Sequence, residues 1–382
     1  MNIVFVISSM SSGGAERVAS ILCNAWAGRG HSVTLVKLDG ENNPSFYDLH
    51  ASIELVSLGV AQDSASKVEA IKRNFKTQNI MRKTLKGLKP DCIISFLATV
   101  NVTTILSSLG SGVPVVISER NYPPNHPIPS MWHILRRITY PMADILVTQT
   151  SGIRDLFSRN VRRKSMVIPN PVVVPDNYRA LHDASKPGPM SVVSVGRLTR
   201  EKRHDLLVEA FAHVSKKHES TLTILGEGPL REELDRKVKK LGIERLVSFP
   251  GTTKNPFSVL QNMDLFVLSS ESEGFPNALM EAMAIGLPVI SFNCPYGPGA
   301  LIDDGVNGRL VPPLDVKALS EAMDDLLSNP EKRHEMGRRA LGIKERYSTE
   351  RILDKWDIAI ATAINKRRFL KHPQINLNQK IV

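Results

Sequence analysis

The chain has 382 residues, 42% hydrophobic and 23% charged, more than one ordinary core can hold, which predicts two globular domains without repeats or low-complexity tracts. Lys and Arg number 49 against 38 Asp and Glu, a net charge of +11, so an anionic partner is expected: a nucleotide, a nucleic acid or an acidic membrane surface. Cys23, Cys92 and Cys294 lie far apart among apolar or small residues, which argues against a disulfide framework or a thiolate metal site and predicts buried thiols in a reducing, cytoplasmic compartment.

The first run, NIVFVIS from Asn2, is short and β-rich and lacks the basic start and long apolar core of a secretory signal. SVTLVKL, DCIISF, VPVVIS and ILVTQT follow, separated by helix-like stretches such as Ala15 to Gly28. Continuous Val and Ile runs mark strands buried on both faces, hence a parallel sheet covered by helices. After the first run, Gly13 and Gly14 precede a helix and read either as a cradle bringing a phosphate to backbone amides or as a plain turn. They do not make a G-x-G-x-x-G dinucleotide fingerprint. Lys67 to Lys89 has many Lys and Arg against the single acid Glu69, with Val68, Ile71, Phe75, Met81, Leu85 and Leu88 at helical spacing. This basic amphipathic helix packs its stripe on the sheet or turns its charged surface to anionic lipid head groups. Cys92 to Ser118 has no charge, but Asn101, several Thr and Ser residues and the GSGVP turn at Gly110 divide it into strand, helix and strand rather than a membrane span.

Ile168 to Met190 is rich in Pro and polar residues and reads as a linker. A second series of strand-length runs follows: MSVVSVG, STLTILGEG, LVSFPG, DLFVLSS, LPVISF and GRLVPP. Ligands of such sheets gather at the carboxyl ends of the strands, so the loops there carry the argument. Arg197, Arg200, Lys202 and Arg203 crowd the first, a repulsion that an anion would relieve. Arg197 and Lys202 suit a diphosphate, while Arg200 and Arg203 read equally as a solvated face. EGPLREEL is a structural turn, and Thr252 in the next loop suits a base or ribose or is part of a plain loop. DLFVLSS ends in ESEGF, with Pro276 suited to a first helical turn. Glu281 is the only charge between Glu273 and Asp303, inside the apolar LMEAMAI. A carboxylate buried there needs a partner: ligand hydroxyls, or a buried Arg or Lys. The amides of Asn277, Ala278 and Leu279 form the positive helix end. Carboxylates for vicinal hydroxyls beside an amide nest for phosphate describe a nucleotide-sugar site.

VGRLTREKRHDLLVEAFAHV, LTILGEGPLREEL, ESEGFPNALMEAMAIGLPVIS and DGVNGRLVPPLD, in this order and spacing, resemble the successive motifs of the retaining glycosyltransferases of family 4. That family has the GT-B fold, two doubly wound Rossmann-like α/β domains facing a central cleft. The resemblance covers most of the chain. It implies a nucleotide-sugar domain over residues 176–349 and an acceptor domain over 1–175, joined by a carboxyl-terminal helix from about 350 to 382 that returns to it. The family's E-x7-E pair falls on Glu273 and Glu281. By resemblance Glu273 contacts donor-sugar hydroxyls and Glu281 the ribose, while Arg197 and Lys202 neutralise the departing diphosphate. Gly14, Thr252, Phe275, Asn277, Ala278 and Leu279 complete the implied donor site.

The activity so implied is retaining transfer of a hexose or N-acetylhexosamine, galactose-type favoured, from a UDP-sugar to a lipid-linked glycan of bacterial surface-polysaccharide synthesis. The acceptor would be polyprenyl-linked, and the enzyme would lie peripherally on the anionic inner face of the plasma membrane, a contact that NKRRFLKH near the carboxyl end favours. No cofactor and no metal is expected, since no D-x-D occurs and fixed cations and amides must then stabilise the leaving group. Two departures stand out. In the first domain Glu119, Arg120 and Asn121 occupy the place of the family's frequent His, leaving the acceptor-side residue open between Glu119 and His126, and Ala300 stands where a Glu is frequent. A nucleotide-sugar epimerase or another enzyme on this scaffold is the alternative. Nucleic acid is not an expected partner, given 5% aromatics and no stacking platform or helix-turn-helix.

Overall fold

The computed structural model describes residues 1–60, 67–120, 129–175, 177–180 and 188–371, and its apolar runs form two all-parallel sheets. One contains β1 (Asn2–Ile7), β2 (Ser32–Lys37), β3 (Glu54–Ser57), β4 (Cys92–Phe96), β5 (Val115–Ser118), β6 (Ile145–Thr148) and β7 (Ser165–Val167), in the order β3-β2-β1-β4-β5-β6-β7. The other contains β8 (Met190–Val195), β9 (Ser220–Leu225), β10 (Val247–Gly251), β11 (Leu265–Leu268), β12 (Val289–Phe292) and β13 (Arg309–Val311), in the order β10-β9-β8-β11-β12-β13. The chain divides into two compact units, Met1–Pro171 with Thr349–Val382, and Val172–Ser348.

In the first unit the uncharged segment behaves as its punctuation predicts: β4, the helix Ala98–Ser108 and β5. Among the described residues no helix is long and apolar enough to cross a membrane. The helix Thr349–Lys371 docks here through the fully buried Trp356, which meets Trp26 edge-to-face at 6.2 Å and lies 5.8 Å from Phe96. Asp357 fixes the register, accepting from Trp26 Nε1 at 2.9 Å and pairing with Arg29 at 2.6 Å. On the basic helix Lys67–Leu88, Met81 and Leu85 are buried while Phe75 is exposed. The apolar stripe thus packs on the domain in its second half and Phe75 turns outward, while the side chains of Val68 and Ile71 lie outside the described residues. All three cysteines are free and buried, and burial pushes the Cys92 and Cys294 thiols up to about 12.

Each sheet has a switch point where the strand order reverses: between β1 and β4 in the first unit, and between β8 and β11 in the second. At such a point the following helices leave to opposite faces, and the loops between them stay open at the carboxyl edge. In the second unit the loop after β8 rests on the loop after β9. Leu198 N donates to Glu227 O at 2.9 Å, and Leu230 N to Leu198 O at 3.1 Å. The approach is so close that a Cβ on Gly226, where φ is +151°, would lie 2.0 Å from Gly196 O. Glycine is therefore required at 226 for both space and conformation. We expect Gly226→Ala to lower stability by about 2–4 kcal/mol and Gly28→Ala, whose Cβ meets nothing within 4 Å, to be neutral or stabilising. Thermal unfolding of the two variants checks this, and a wild-type Tm for Gly226→Ala would contradict it.

Candidate active site

The loops after β8 and β11 are neighbours because their strands pair, Leu265 with Val192 and Phe266 with Val193. Past β8 the chain makes a turn of 3-10 helix over Arg200–Lys202, passes Arg203 in a left-handed conformation (φ +49°) and enters the helix His204–Val214. Past β11 it runs through Ser269 to Pro276 and enters the helix Asn277–Ala284. The loops are stitched together: Ser269 Oγ donates to Lys202 O at 2.9 Å and Glu271 N to Glu201 O at 2.8 Å. At the centre Lys202 Nζ meets Glu273 Oε1 at 2.6 Å, and Ser270 Oγ donates to the same oxygen at 2.6 Å. Both charged side chains are largely buried. The sequence assigned Lys202 to a phosphate and Glu273 to sugar hydroxyls; in the structure the two pair with each other.

Around this pair lie groups still open to a ligand. The Arg197 side chain is 70% exposed, with only a long 3.8 Å contact to Glu201. Arg203, by contrast, is held by Asp205 through two 3.0 Å hydrogen bonds and faces Glu271 at 3.6 Å, so it belongs to the scaffold. The helix Asn277–Ala284 has no acid in its first turn, and Pro276 ahead of it has no side chain that could cap it. Its first-turn amides have no intrahelical acceptor. Glu281 sits in that helix, buried and engaged by the surrounding protein. Leu279 is fully buried and offers only its amide, whereas Asn277 and Ala278 are half-buried. The Phe275 ring is buried edge-to-face against Tyr347 at 5.5 Å, so it packs the loop. Thr252 is exposed just past β10, at the same edge of the sheet but two strands away from β8.

His204 went unnoticed in the sequence and lies directly behind the cations. Burial first, and the Lys202 charge second, push its imidazole down to about 4. At neutral pH it adds no charge beside Lys202. Ser269 and Ser270 were likewise missed; two small polar residues at a strand end are the only signal that could have flagged them.

In the first unit the candidates separate. Gly14 begins the helix Gly14–Gly28, but the chain's own Glu16 occupies that positive end. Glu16 is buried and accepts from Ser9 Oγ at 3.3 Å, and its carboxylate fills the space a side chain at Gly13 would need. An incoming phosphate at Gly14 would meet that negative charge. Glu119 is 1% exposed, accepts from Tyr140 Oη at 2.8 Å and faces Arg136 at 3.8 Å, and burial raises its pKa. Tyr140 continues the network to Asn101 at 3.1 Å, and Asn101 to Ser95 at 2.8 Å. Glu119 therefore holds a buried polar network together and is not presented to an acceptor. His126 lies outside the described residues.

The sequence profile of the glycosyl transferases group 1 matches residues 182–342, and that of glycosyltransferase family 4 matches residues 12–174. The Campylobacter jejuni GalNAc-α-(1→4)-GalNAc-α-(1→3)-diNAcBac-PP-undecaprenol α-1,4-N-acetyl-D-galactosaminyltransferase is 31% identical over 367 residues, 96% of this chain and 99% of the relative. The chain belongs to glycosyltransferase family 4. Among solved structures, the lipopolysaccharide outer core galactosyltransferase WaaB in its apo form matches with a TM-score of 0.71 at 22% identity, over 95% of this chain and 99% of that one. Anabaena HepE in complex with UDP-glucose matches with a TM-score of 0.75 at 18% identity, over 96% and 100%. The fold is thus GT-B, two Rossmann-like parallel-sheet domains, and the protein is a hexosyl-transferring enzyme.

The buried His204 gives the glycosyltransferase a pH dependence whose sign follows from linkage. The unfolded imidazole titrates near 6.5 and the folded one near 4, so in that window the unfolded chain binds a proton that the folded chain does not. Stability falls as pH drops through it, and the loss is complete below about 4. We expect wild type to lose more Tm between pH 7 and 4.5 than His204→Gln does. Equal losses, or an imidazole titrating at its ordinary value by NMR, would contradict the assignment.

Proposed function

We propose that this glycosyltransferase moves an N-acetylhexosamine or hexose, of the galactose type, from a UDP-sugar to a polyprenyl-diphosphate-linked glycan, without a metal and with retention. The observation that carries the reading is the Lys202–Glu273 pair at the switch point of the second unit, beside an exposed Arg197 and a helix end with no acid in its first turn. The lipid-linked acceptor and the N-acetylgalactosamine donor are supported by the name of the Campylobacter relative. A UDP donor is supported by the UDP-glucose complex of the HepE neighbour.

The chemistry follows from these charges. A donor diphosphate competes with Glu273 for Lys202, and Arg197 reaches the same anion from the open side. Lys202 then neutralises the negative charge that develops as the bond from the anomeric carbon to the phosphate oxygen breaks, and the first-turn amides of the helix Asn277–Ala284 add a fixed positive end. Released from Lys202, Glu273 accepts hydrogen bonds from sugar hydroxyls while still held by Ser270. Glu281, one helical segment further in, takes the ribose hydroxyls. The acceptor oxygen bonds to the anomeric carbon on the face the diphosphate leaves, and its proton passes to the departing phosphate. Retention results without a separate nucleophile, and fixed cations do what a metal would otherwise do.

An anionic membrane surface as partner is supported by one feature that was not singled out in the sequence. On the helix Ser130–Thr139, Trp132 and Leu135 pack inward, while Met131, Ile134 and Ile138 are exposed, and Met142 extends the row. Arg137, Arg159, Arg162 and Arg163 are exposed and make no ion pair among the described residues. The short helix Arg159–Arg162 packs on the turn Tyr140–Met142. Apolar side chains flanked by unpaired arginines match the boundary of an anionic leaflet.

Two experiments test the reading. In a panel of UDP-sugars with a polyprenyl-linked glycan extract, UDP release should depend on the acceptor and be greatest with UDP-N-acetylgalactosamine or UDP-galactose; acceptor-independent release or preference for another nucleotide would refute it. Arg197→Ala and Lys202→Ala should each lower kcat by about 10²-fold or more, and unchanged kcat would remove them from the reaction. For the membrane, flotation with anionic vesicles should weaken in high salt and with Ile134→Glu, whereas salt-insensitive flotation of both proteins would refute the contact.

A further inference from the structure

At the carboxyl edge of the first sheet lies a cation that no residue among those described neutralises. Arg120 stands two residues past the end of β5, next to Glu119. Successive residues of an extended chain face opposite ways, and the two side chains part accordingly. Glu119 turns to Tyr140 and Arg136. The Arg120 guanidinium lies on the ring of Phe96, the last residue of β4, at 4.3 Å. It donates to Asn170 Oδ1 and, at a long 3.5 Å, to Ser118 Oγ, while its own carbonyl accepts from Gln149 Nε2 at 3.2 Å. The side chain is only 6% exposed, and its Nε has no acceptor.

All its acceptors are neutral, and no carboxylate among the described residues pairs with it. The residues that follow, NYPPNHPI over 121–128, contain no acid either. Burial alone pulls the guanidinium down to about 9, with no nearby charge acting on it, so at neutral pH it remains a buried cation. A guanidinium has five donors in a planar fork suited to phosphate, and here two are used. Phe96 and Asn170 hold that fork in one orientation, at the strand ends where open parallel sheets take their ligands. Packing on Phe96 and bonding to Asn170 require no charge; an anion from outside the protein does.

We infer that Arg120 is the anion-binding residue of the first unit and takes a phosphoryl oxygen of a substrate diphosphate. The inference rests on the proposed function for the identity of the substrates, of which two carry a diphosphate: the UDP-sugar and the polyprenyl-linked acceptor.

The test uses full-length Arg120→Met and Arg120→Lys. At saturating donor, Arg120→Met should raise the acceptor KM by about tenfold or more, the loss of a charged hydrogen bond, with UDP Kd unchanged and Arg120→Lys recovering part of the loss. A raised UDP Kd with the acceptor KM unchanged would assign the phosphoryl group to the donor and uphold the anion site. Without substrate, Arg120→Met should melt at or above the wild-type Tm, because it removes an uncompensated buried charge. Wild-type values of both constants in Arg120→Met would overturn the inference. So would a Tm drop of several degrees with kcat reduced and both constants intact, which would mark a structural cation. If the wild type released no UDP from any sugar, the transferase reading would fail separately. Thermal stabilisation by inorganic pyrophosphate, diminished in Arg120→Met or equal to wild type, would then uphold or overturn the Arg120 site.

Discussion

The site of the second unit depends on one ion pair, Lys202 with Glu273 at 2.6 Å, between the loops of two adjacent strands. An exposed pair of this kind is worth about 0–1 kcal/mol and would organise nothing. This one is largely buried, and its carboxylate also accepts from Ser270. Removing either partner would leave a desolvated charge, which costs about 3–5 kcal/mol in a fully buried pair and less here, where both side chains keep some exposure. That asymmetry makes the pair the link that ties the two loops together. The hydrogen bonds from Ser269 Oγ to Lys202 O and from Glu271 N to Glu201 O hold the same two loops beside the pair.

The two units share a sheet topology but use their positive helix ends differently. At the switch point of the first unit, the helix Gly14–Gly28 carries Glu16 in its first turn, and that carboxylate folds back over the amides. The helix Asn277–Ala284 in the second unit has no acid in its first turn. A helix end is worth about 0.3–1 kcal/mol to a nearby charge, too little to define a site alone but enough to decide which of two equivalent ends receives a phosphate. Arg197 and Lys202 add full charges beside the second, within the same pair of loops. His204 beneath them stays neutral and so adds no third repelling charge beside Lys202.

Most of the architecture was legible because buried parallel strands have to be apolar throughout. All six strands of the second sheet and five of the first announced themselves as Val- and Ile-rich runs. β3 and β7 did not: ELVS and SMV are short sheet edges, only partly buried, and carry no such constraint. At the site, the residue types and spacing identified the loops but not the bonds inside them. Lys202 and Glu273 are far apart in sequence, and only the β8–β11 pairing brings them together. The packing of the Phe275 ring on Tyr347 and of Glu119 on Tyr140 was not legible, because a sequence does not display burial.

Glu119 and Arg120 show why burial has consequences. Both are ionisable and nearly buried, adjacent in the chain and opposite in charge, yet strand geometry keeps them from pairing. A carboxylate has a way out of this position, since burial raises its pKa and Tyr140 and Arg136 satisfy what charge remains. A guanidinium has none at neutral pH, because even a fall to about 9 leaves it protonated. Of two buried charges in the same strand extension, then, one is resolved by its neighbours and the other, among the described residues, is not. A charge that a fold retains without resolving is best explained by something the fold receives.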